Sequence, residues 1–210
     1  MLAVLLICAA PVIASYLTYY VIRPTHAELL NVKSFGELVQ PQRPMPNLAA
    51  TTLDGKATSL ASLRGQWLLV SVSGGVCAKL CTDHLYMQRQ LRETLGKEKD
   101  RLDWVWLISD DAPLAPELLK RLTDPAIHAQ GFQALRIKEL ELSAWLQGGE
   151  SSLYLIDPQG NYMMRFPENM TIEQAAKAKA DINRLLRASS FWDTPGRDNV
   201  KLASPLKAAP

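Results

Sequence analysis

The sequence has few cysteines and histidines and no large excess of charge of either sign. Its 210 residues include three cysteines and three histidines, and 23 basic against 21 acidic side chains leave a formal net charge of +2. The basic residues are interleaved with acids, which argues against a nucleic acid partner. Three cysteines are too few for the disulfide framework of a small secreted scaffold. Because 48% of the residues are hydrophobic, we expect one domain with a real core, plus extensions.

Charged side chains are absent from residues 1–22, an apolar segment close to the roughly 20 residues that a helix needs to cross a bilayer. Tyr16, Tyr19 and Tyr20 come shortly before Arg23, in the position of an interfacial aromatic belt. We therefore predict one N-terminal transmembrane helix that anchors the protein in a membrane.

Two alternatives for this segment are a cleaved signal peptide and a lipid anchor. Small residues around Ala14 offer a cleavage site, but a basic leader is missing and the apolar run continues past that point. Attachment of a lipid at Cys8 is disfavoured because Ile7 occupies a position where a small residue is wanted. Basic residues follow the apolar run and none precedes it, so the charge rule alone would leave the C-terminal part in the cytoplasm.

Prolines set apart the two extensions of the chain. Residues 23–46 contain four prolines, which prevent a long helix and predict a spacer between the anchor and the domain. Residues 189–210 contain three more, together with scattered charges, and we expect a flexible tail. The folded domain is then predicted over residues 47–188.

Within this domain, apolar β-rich runs alternate with helical patterns, which predicts an α/β sandwich: a mixed sheet with flanking helices. The turn sequence at 157–160 should join its two flanking runs as an antiparallel hairpin. The predicted strands are 67–73, 103–109, 132–137, 152–156 and 162–166, and the predicted helices are 77–96, 114–122, 138–147 and a last one from the Thr171 cap to about 188.

Two cysteines, Cys77 and Cys81, follow the predicted strand 67–73 and a Gly74-Gly75 turn. Unpaired amides and the positive end of the dipole at a helix N-terminus favour a thiolate over a thiol. A thiolate is both a nucleophile and a soft metal ligand, so the pair predicts either reversible disulfide formation or capture of Cu(I) between two sulfurs. The competing interpretation is a pair of buried, inert cysteines on one helix face.

A helix over 77–96 would place Cys77 and Cys81 one turn apart on the same face. A disulfide between them would then need a distorted first turn. Lys79 lies between them and favours the thiolate, or is simply a solvated lysine. His84 is three residues beyond Cys81 and is a candidate third metal ligand, or an ordinary histidine.

The sequence resembles the Sco/SenC proteins, membrane-anchored thioredoxin-fold factors that help assemble the copper site of cytochrome c oxidase. The resemblance rests on residues 65–70, GQWLLV, and on 77–81, CAKLC, with three residues between the cysteines. Residues 52–56, TLDGK, and 154–160, YLIDPQG, also look like elements shared with the wider thiol–disulfide oxidoreductases. Together these motifs extend the resemblance over roughly residues 46–188.

The chain departs from the Sco pattern around both motifs. Sco proteins usually have prolines after each cysteine and an acid inside the loop, whereas this chain has Ala78, Lys79 and Thr82. The histidine that completes the Sco copper site is missing from residues 147–152, and so is the thioredoxin cis-proline, expected near Ser151.

The resemblance implies a cytochrome c oxidase assembly factor on the periplasmic side of the cytoplasmic (inner) membrane. Its partners would be an oxidase subunit or another assembly factor. It would act through Cys77 and Cys81, by delivering Cu(I) or by thiol–disulfide exchange. A general periplasmic thiol–disulfide oxidoreductase is one alternative, with Cys77 as the attacking and Cys81 as the resolving thiol. A redox-inactive, membrane-tethered binding protein is the other.

Overall fold

The computed structural model describes residues 9–17, 34–149, 151–191 and 193, and it divides into two compact units, Met1–Ser34 and Phe35–Pro210. In the first unit, residues 9–17 form a mostly exposed helical segment. Across the described ranges, no helix is both long and apolar enough to cross a membrane. The rest of the predicted anchor, with Arg23 and the first part of the spacer, lies outside these ranges.

The second unit is built on one eight-stranded sheet with the order β1-β8-β7-β4-β5-β6-β2-β3. The central strands β4, β5 and β6 are parallel, and every other pairing is antiparallel. The strands are β1 Glu37–Pro44, β2 Ala49–Thr52, β3 Ala57–Ser59, β4 Trp67–Ser73, β5 Leu102–Ile108, β6 Phe132–Arg136, β7 Tyr154–Ile156 and β8 Asn161–Arg165.

Helices cover both faces of this sheet, so the predicted α/β class, a mixed sheet with flanking helices, is confirmed. The α-helices of this unit are α1 Lys79–Thr94, α2 Pro116–Leu122, α3 Pro125–His128, α4 Glu139–Leu146 and α5 Ile172–Ala188, and short 3₁₀ helices span Leu60–Leu63 and Gly96–Arg101. The predicted hairpin around 157–160 is also present, since β7 and β8 pair antiparallel.

The central strands are buried on both sides, which explains why they are almost continuously apolar. On one face of β4, Leu68 and Val70 pack into a cluster with α4 residues such as Leu142. On the other face, Leu69 packs into a cluster with residues of α1 and α5. Helix α1 contacts β4, β5 and α5, so the helix that carries Cys81 is held against the middle of the sheet.

Part of the predicted spacer 23–46 belongs to this sheet. Residues 37–44 form β1, which pairs with β8 at the edge of the sheet. Proline cannot donate to a sheet ladder and is tolerated on edge strands and at irregularities. Here the register shifts between Leu38 and Arg43, around the cis Gln40–Pro41 bond. Two of the four prolines that suggested a spacer, Pro41 and Pro44, are therefore accommodated in a strand.

Ser189 and Asp193, at the start of the predicted tail 189–210, are buried, whereas Phe191 between them is 85% exposed. The carboxylate of Asp193 lies 2.7 Å from the guanidinium of Arg101 and accepts a hydrogen bond from the indole of Trp67 at 2.9 Å. The side chains of Arg101 and Asp193 are only 4% and 3% exposed. The hydroxyl of Ser189 lies in the same group, 2.9 Å from Arg101.

Candidate redox site

Cys77 and Cys81 are joined by a disulfide at the end of β4, with their Cα atoms 5.0 Å apart. The prediction that both cysteines lie in one helix is wrong for Cys77, because α1 begins at Lys79 with Ala78 as its N-cap. Cys77 precedes the helix in the left-handed conformation, with φ of 49°. On a regular helix, Cβ atoms one turn apart are about 5–6 Å apart, while a disulfide needs about 3.5–4.5 Å. Leaving the helix at Cys77 therefore lets the sulfurs meet.

The two cysteines differ in exposure. Cys81 is 4% exposed and packs in a buried cluster with Leu85 and Trp106, whereas Cys77 is half-buried at the edge of that cluster. Thiol–disulfide exchange requires direct access of an attacking sulfur. Cys77 is therefore the residue whose sulfur a partner thiol or disulfide can reach first, and Cys81 is placed to resolve the bond behind it.

Asp110, at the end of β5, holds the turn that precedes Cys77. Its Oδ1 accepts hydrogen bonds from the backbone N–H of Gly75 at 2.7 Å and from that of Ala112 at 3.1 Å. Arg136 donates to the carbonyl oxygens of Asp110 at 2.6 Å and Ala112 at 2.8 Å. Asp110 was not singled out as a site residue in the sequence analysis. The available signal was its position directly after a strand parallel to β4, since such strands end at the same sheet edge.

Both glycines before Cys77 lie in close contact with this loop, and at Gly75 the contact requires glycine. A Cβ on Gly74 would lie 2.5 Å from the Asp110 carboxylate, and one on Gly75 would collide with the carbonyl oxygen of Ala112. The second contact is with backbone, which cannot move aside as a flexible side chain can. The Gly74-Gly75 pair therefore lets the loop after β5 lie directly against the cysteine turn.

His84 is buried on α1, one turn after Cys81, and is 5% exposed. Burial lowers the pKa of His84 below its ordinary value, and the negative charge of Asp83 opposes this effect without cancelling it. The imidazole is therefore harder to protonate than that of a solvent-exposed histidine. In the part of the chain that the structure describes, no group of three or more His, Cys, Asp or Glu side chains is placed to hold a metal ion. A ligand role for His84 remains a prediction.

Lys79 forms an exposed ion pair with Asp83 one turn along α1, with 2.5 Å between the charged atoms. Pairs of this kind contribute about 0.3–0.5 kcal/mol. Much of the charge of Lys79 is therefore balanced by its own helix, and its influence on the cysteines remains a prediction.

Residues 147–149 and 151–152, where the resemblance led us to expect a histidine, are held by hydrogen bonds to their backbone carbonyls. The hydroxyl of Tyr154 donates to the carbonyl oxygen of Gly149 at 2.7 Å, and the N–H of Asn169 donates to that of Ser151 at 2.9 Å. Burial raises the pKa of Tyr154 to about 12, so its hydroxyl stays a donor at neutral pH. These residues offer neither an imidazole nor a cis-proline to the disulfide.

A buried glutamine, which sequence reasoning missed, fixes α1 on the sheet behind the disulfide. Gln88 is fully buried, and its Nε2 donates to the carbonyl oxygens of Leu69 at 2.7 Å and Val105 at 3.0 Å. Its Oε1 accepts from the hydroxyl of Ser71 at 3.2 Å. Because α1 is bonded to β4 and β5 in this way, Cys81 is held in a fixed position.

The family described as a transmembrane-like, thioredoxin-like C-terminal domain matches residues 67–189. The match runs from the start of β4 to just beyond α5 and includes both cysteines, and it confirms the predicted thioredoxin-like fold. No curated protein sequence matches the chain.

Solved structures share the fold at low sequence identity. A SCO1/SenC family lipoprotein from Bacillus anthracis is 16% identical with a TM-score of 0.54, and the match covers 72% of this chain and 99% of that one. Yeast Sco1 with copper bound is 17% identical, with a TM-score of 0.54 and coverage of 70% and 90%. BsSco, described as a member of the Sco family of cytochrome c oxidase assembly proteins with a disulfide switch, is 17% identical, with a TM-score of 0.55 and coverage of 73% and 96%.

Proposed function

The chain belongs to the family of transmembrane-like, thioredoxin-like C-terminal domains, and from this premise we propose that it is a membrane-anchored thiol–disulfide exchange factor in cytochrome c oxidase assembly. The observation that carries the proposal is the disulfide between Cys77 and Cys81 at the start of α1. One partner is half-buried and the other buried, which is the asymmetry that an attacking and a resolving thiol require.

The proposed reaction reduces a disulfide of a client protein. The Cys77 thiolate attacks one client sulfur, which breaks the client disulfide, forms a mixed disulfide and releases the other client sulfur as a thiolate. The Cys81 thiolate then attacks Cys77, which releases the second client thiolate and forms the Cys77–Cys81 bond. Two electrons pass from this protein to the client, so a single turnover requires no further reductant. The disulfide form of the structure is the product state.

The choice of client is supported by the structural relatives. BsSco is described as belonging to a family of cytochrome c oxidase assembly proteins and as having a disulfide switch. Copper ligation requires free thiolates, so a copper site whose cysteines are joined in a disulfide must be reduced before it can be metallated. We infer that the client is an oxidase subunit with such a site, or another assembly factor that serves it.

Delivery of Cu(I) as cargo is a second candidate function, favoured by the copper-bound yeast relative. Once reduced, Cys77 and Cys81 could hold Cu(I) between two sulfurs, but Cu(II) prefers additional nitrogen or oxygen ligands. No such third ligand is grouped with the cysteines among the described residues, so the donor set fits Cu(I) alone and exchange requires no metal.

Anaerobic titration of the reduced protein tests this second function. Cu(I) should be held more firmly than Cu(II), Cys77→Ser should abolish binding, and His84→Ala should change the Cu(I) affinity little. A stable Cu(II) site whose thiolate charge-transfer absorption disappears in His84→Ala would contradict this and establish His84 as a ligand.

We propose that residues 1–22 anchor the protein in the cytoplasmic membrane as a single span, with the thioredoxin-like unit on the periplasmic side. Disulfides form and persist in the bacterial periplasm and are rare in the cytosol, which supports this side over the one that the charge rule favours. Expression with an alkaline phosphatase or green fluorescent protein fusion at the C-terminus tests the orientation. Phosphatase activity is expected, and fluorescence without phosphatase activity would contradict the proposal.

The exchange function is tested with the reduced full chain in an uncharged detergent, in a Cys8→Ser background, and the oxidised copper-binding domain of an oxidase subunit. Under anaerobic, metal-free conditions, we expect one client disulfide to be reduced for each cysteine pair oxidised, and Cys77→Ser to abolish the reaction. Equal rates with oxidised glutathione and with the client would favour a general oxidoreductase. Normal oxidase assembly in cells that carry Cys77→Ser/Cys81→Ser would favour a redox-inactive binding protein.

A further inference from the structure

An apolar groove of about 150 Å³ lies between α1 and the α2–α3 segment. Side chains of Leu85, Trp104, Leu118 and Ile127 contribute to its lining. Tyr86, which is 57% exposed, also lines it. The groove is large enough to take one or two apolar side chains of another protein.

The groove adjoins the disulfide. Leu85, one turn after Cys81, packs with it in the same buried cluster, and Leu118 packs at the edge of that cluster together with Cys77. Thr82, the residue after Cys81, also lines the groove. A polypeptide whose sulfur reaches Cys77 would therefore have its neighbouring residues over this groove.

Two arginines give the groove a positive charge. Arg89 and Arg121 line it, and no Asp or Glu does. Neither guanidinium makes a hydrogen bond or salt bridge to any residue that the structure describes. The charge of Arg89 is felt by Glu93 one turn further on, but the carboxylate of Glu93 is already bonded to Lys99 and Arg92.

Five other arginines of this unit are paired with carboxylates, whereas Arg43 and Arg64 donate to backbone carbonyl oxygens instead. Carboxylate partners are present for Arg92, Arg101, Arg136, Arg165 and Arg184. Arg89 and Arg121 are thus cations beside an apolar surface, and no carboxylate of the described residues is bonded to either. Planar guanidinium groups bind carboxylates in a bidentate manner, so charge complementarity favours an acidic occupant.

We propose that this groove binds an acidic segment of the client next to the client's reactive sulfurs. The carboxylates of the segment would lie on Arg89 and Arg121, and an apolar side chain would enter the groove between them. This inference rests on the proposed exchange function, since it names the chemistry of the client surface that approaches Cys77.

Binding is measured separately from exchange, with peptides whose cysteines are replaced by serine. Two labelled peptides share one apolar core and differ only in flanking glutamates or lysines, and fluorescence anisotropy gives their affinities for the full chain in an uncharged detergent. Exposed ion pairs are individually weak, so we expect the glutamate peptide to bind about threefold to tenfold more tightly at low salt. The preference should decline as salt is added.

Arg89→Gln/Arg121→Gln should abolish the preference. Lys97→Gln/Arg187→Gln is the matched control, because it removes the same charge from two exposed positions outside the groove and should retain the preference. Equal binding of the two peptides by the unmodified protein, an unchanged preference in the groove variant, or an equal loss in the control would each overturn the inference. The same glutamate peptide with its cysteines restored tests exchange. If the serine form binds preferentially but the cysteine form is not reduced, the inference about the groove is supported and the proposed exchange function is wrong.

Discussion

Replacing Asp110 with alanine should weaken the Cys77–Cys81 disulfide more than the fold as a whole. The substitution removes the acceptor of two hydrogen bonds, from Gly75 at 2.7 Å and from Ala112 at 3.1 Å. Hydrogen bonds to a charged group contribute about 1.5–3 kcal/mol each when desolvated. Because the Asp110 side chain is 45% exposed and water can replace part of both bonds, we expect Asp110→Ala to lower the free energy of unfolding of the oxidised protein by about 1–2 kcal/mol in total.

In the reduced protein, Asp110→Ala should lower the free energy of unfolding by about half as much, because the turn is free to relax once the sulfurs are no longer joined. The difference, about 0.5–1 kcal/mol, is the free energy lost from disulfide formation, and it corresponds to a reduction potential about 10–20 mV higher. Urea unfolding of both redox forms gives the difference in free energy, and equilibration with dithiothreitol redox buffers gives the reduction potential.

Two variants separate geometry from charge. Asp110→Asn keeps an oxygen acceptor and should retain most of the stability, whereas Asp111→Ala removes the same charge from the exposed neighbour and should change the potential little. If Asp110→Ala destabilised both redox forms equally, or shifted the potential no more than Asp111→Ala does, the hydrogen bonds of Asp110 to the cysteine turn would play no part in disulfide formation.

Three further predictions concern buried residues of the thioredoxin-like unit. The pKa of His84 is lowered on folding, so at pH values below the ordinary histidine pKa of about 6.5 the unfolded chain binds more protons than the folded one. The free energy of unfolding should therefore fall as the pH drops below about 6.5, by up to about 1.4 kcal/mol per pH unit. His84→Asn should remove this slope in urea titrations between about pH 5 and 7. Among the described residues, Asp193→Ala leaves Arg101 with Glu98 as its one remaining charged partner. The substitution should lower the free energy of unfolding by about 2–4 kcal/mol, measured by urea unfolding followed by tryptophan fluorescence. A loss below about 0.5 kcal/mol would show that the buried pair adds nothing. Gln88→Leu should cost about 1–3 kcal/mol and speed hydrogen exchange in α1, and unchanged exchange would contradict its role in fixing the helix.

Local patterns in the sequence predicted the centre of the fold. The apolar run that became β4 and the turn at 157–160 between β7 and β8 were placed correctly, because burial on both faces and turn chemistry are properties of neighbouring residues. Strand β1 was missed for the same reason: its prolines argue locally against a strand, and only pairing with β8 at the sheet edge makes one.

The candidate site depended on contacts that the sequence does not display. The left-handed conformation of Cys77 is uncommon for a residue other than glycine, and nothing in the surrounding sequence indicates it. The bond from Gly75 to Asp110 joins residues 35 positions apart. The identity of both cysteines could therefore be predicted from spacing and helix chemistry, while their geometry and the residues that position them required the fold.

The most direct test of the exchange mechanism is to trap its intermediate. In a Cys8→Ser background, reduced Cys81→Ser protein lacks the resolving thiol, so incubation with the oxidised copper-binding domain of an oxidase subunit should accumulate a mixed disulfide. Mass spectrometry of the digested complex should then identify Cys77 as the attached residue. The reciprocal variant, with Cys77→Ser and an intact Cys81, should form little or none, because Cys81 is buried. Equal trapping by both variants, or trapping through Cys81 alone, would contradict the assignment of Cys77 as the attacking thiol.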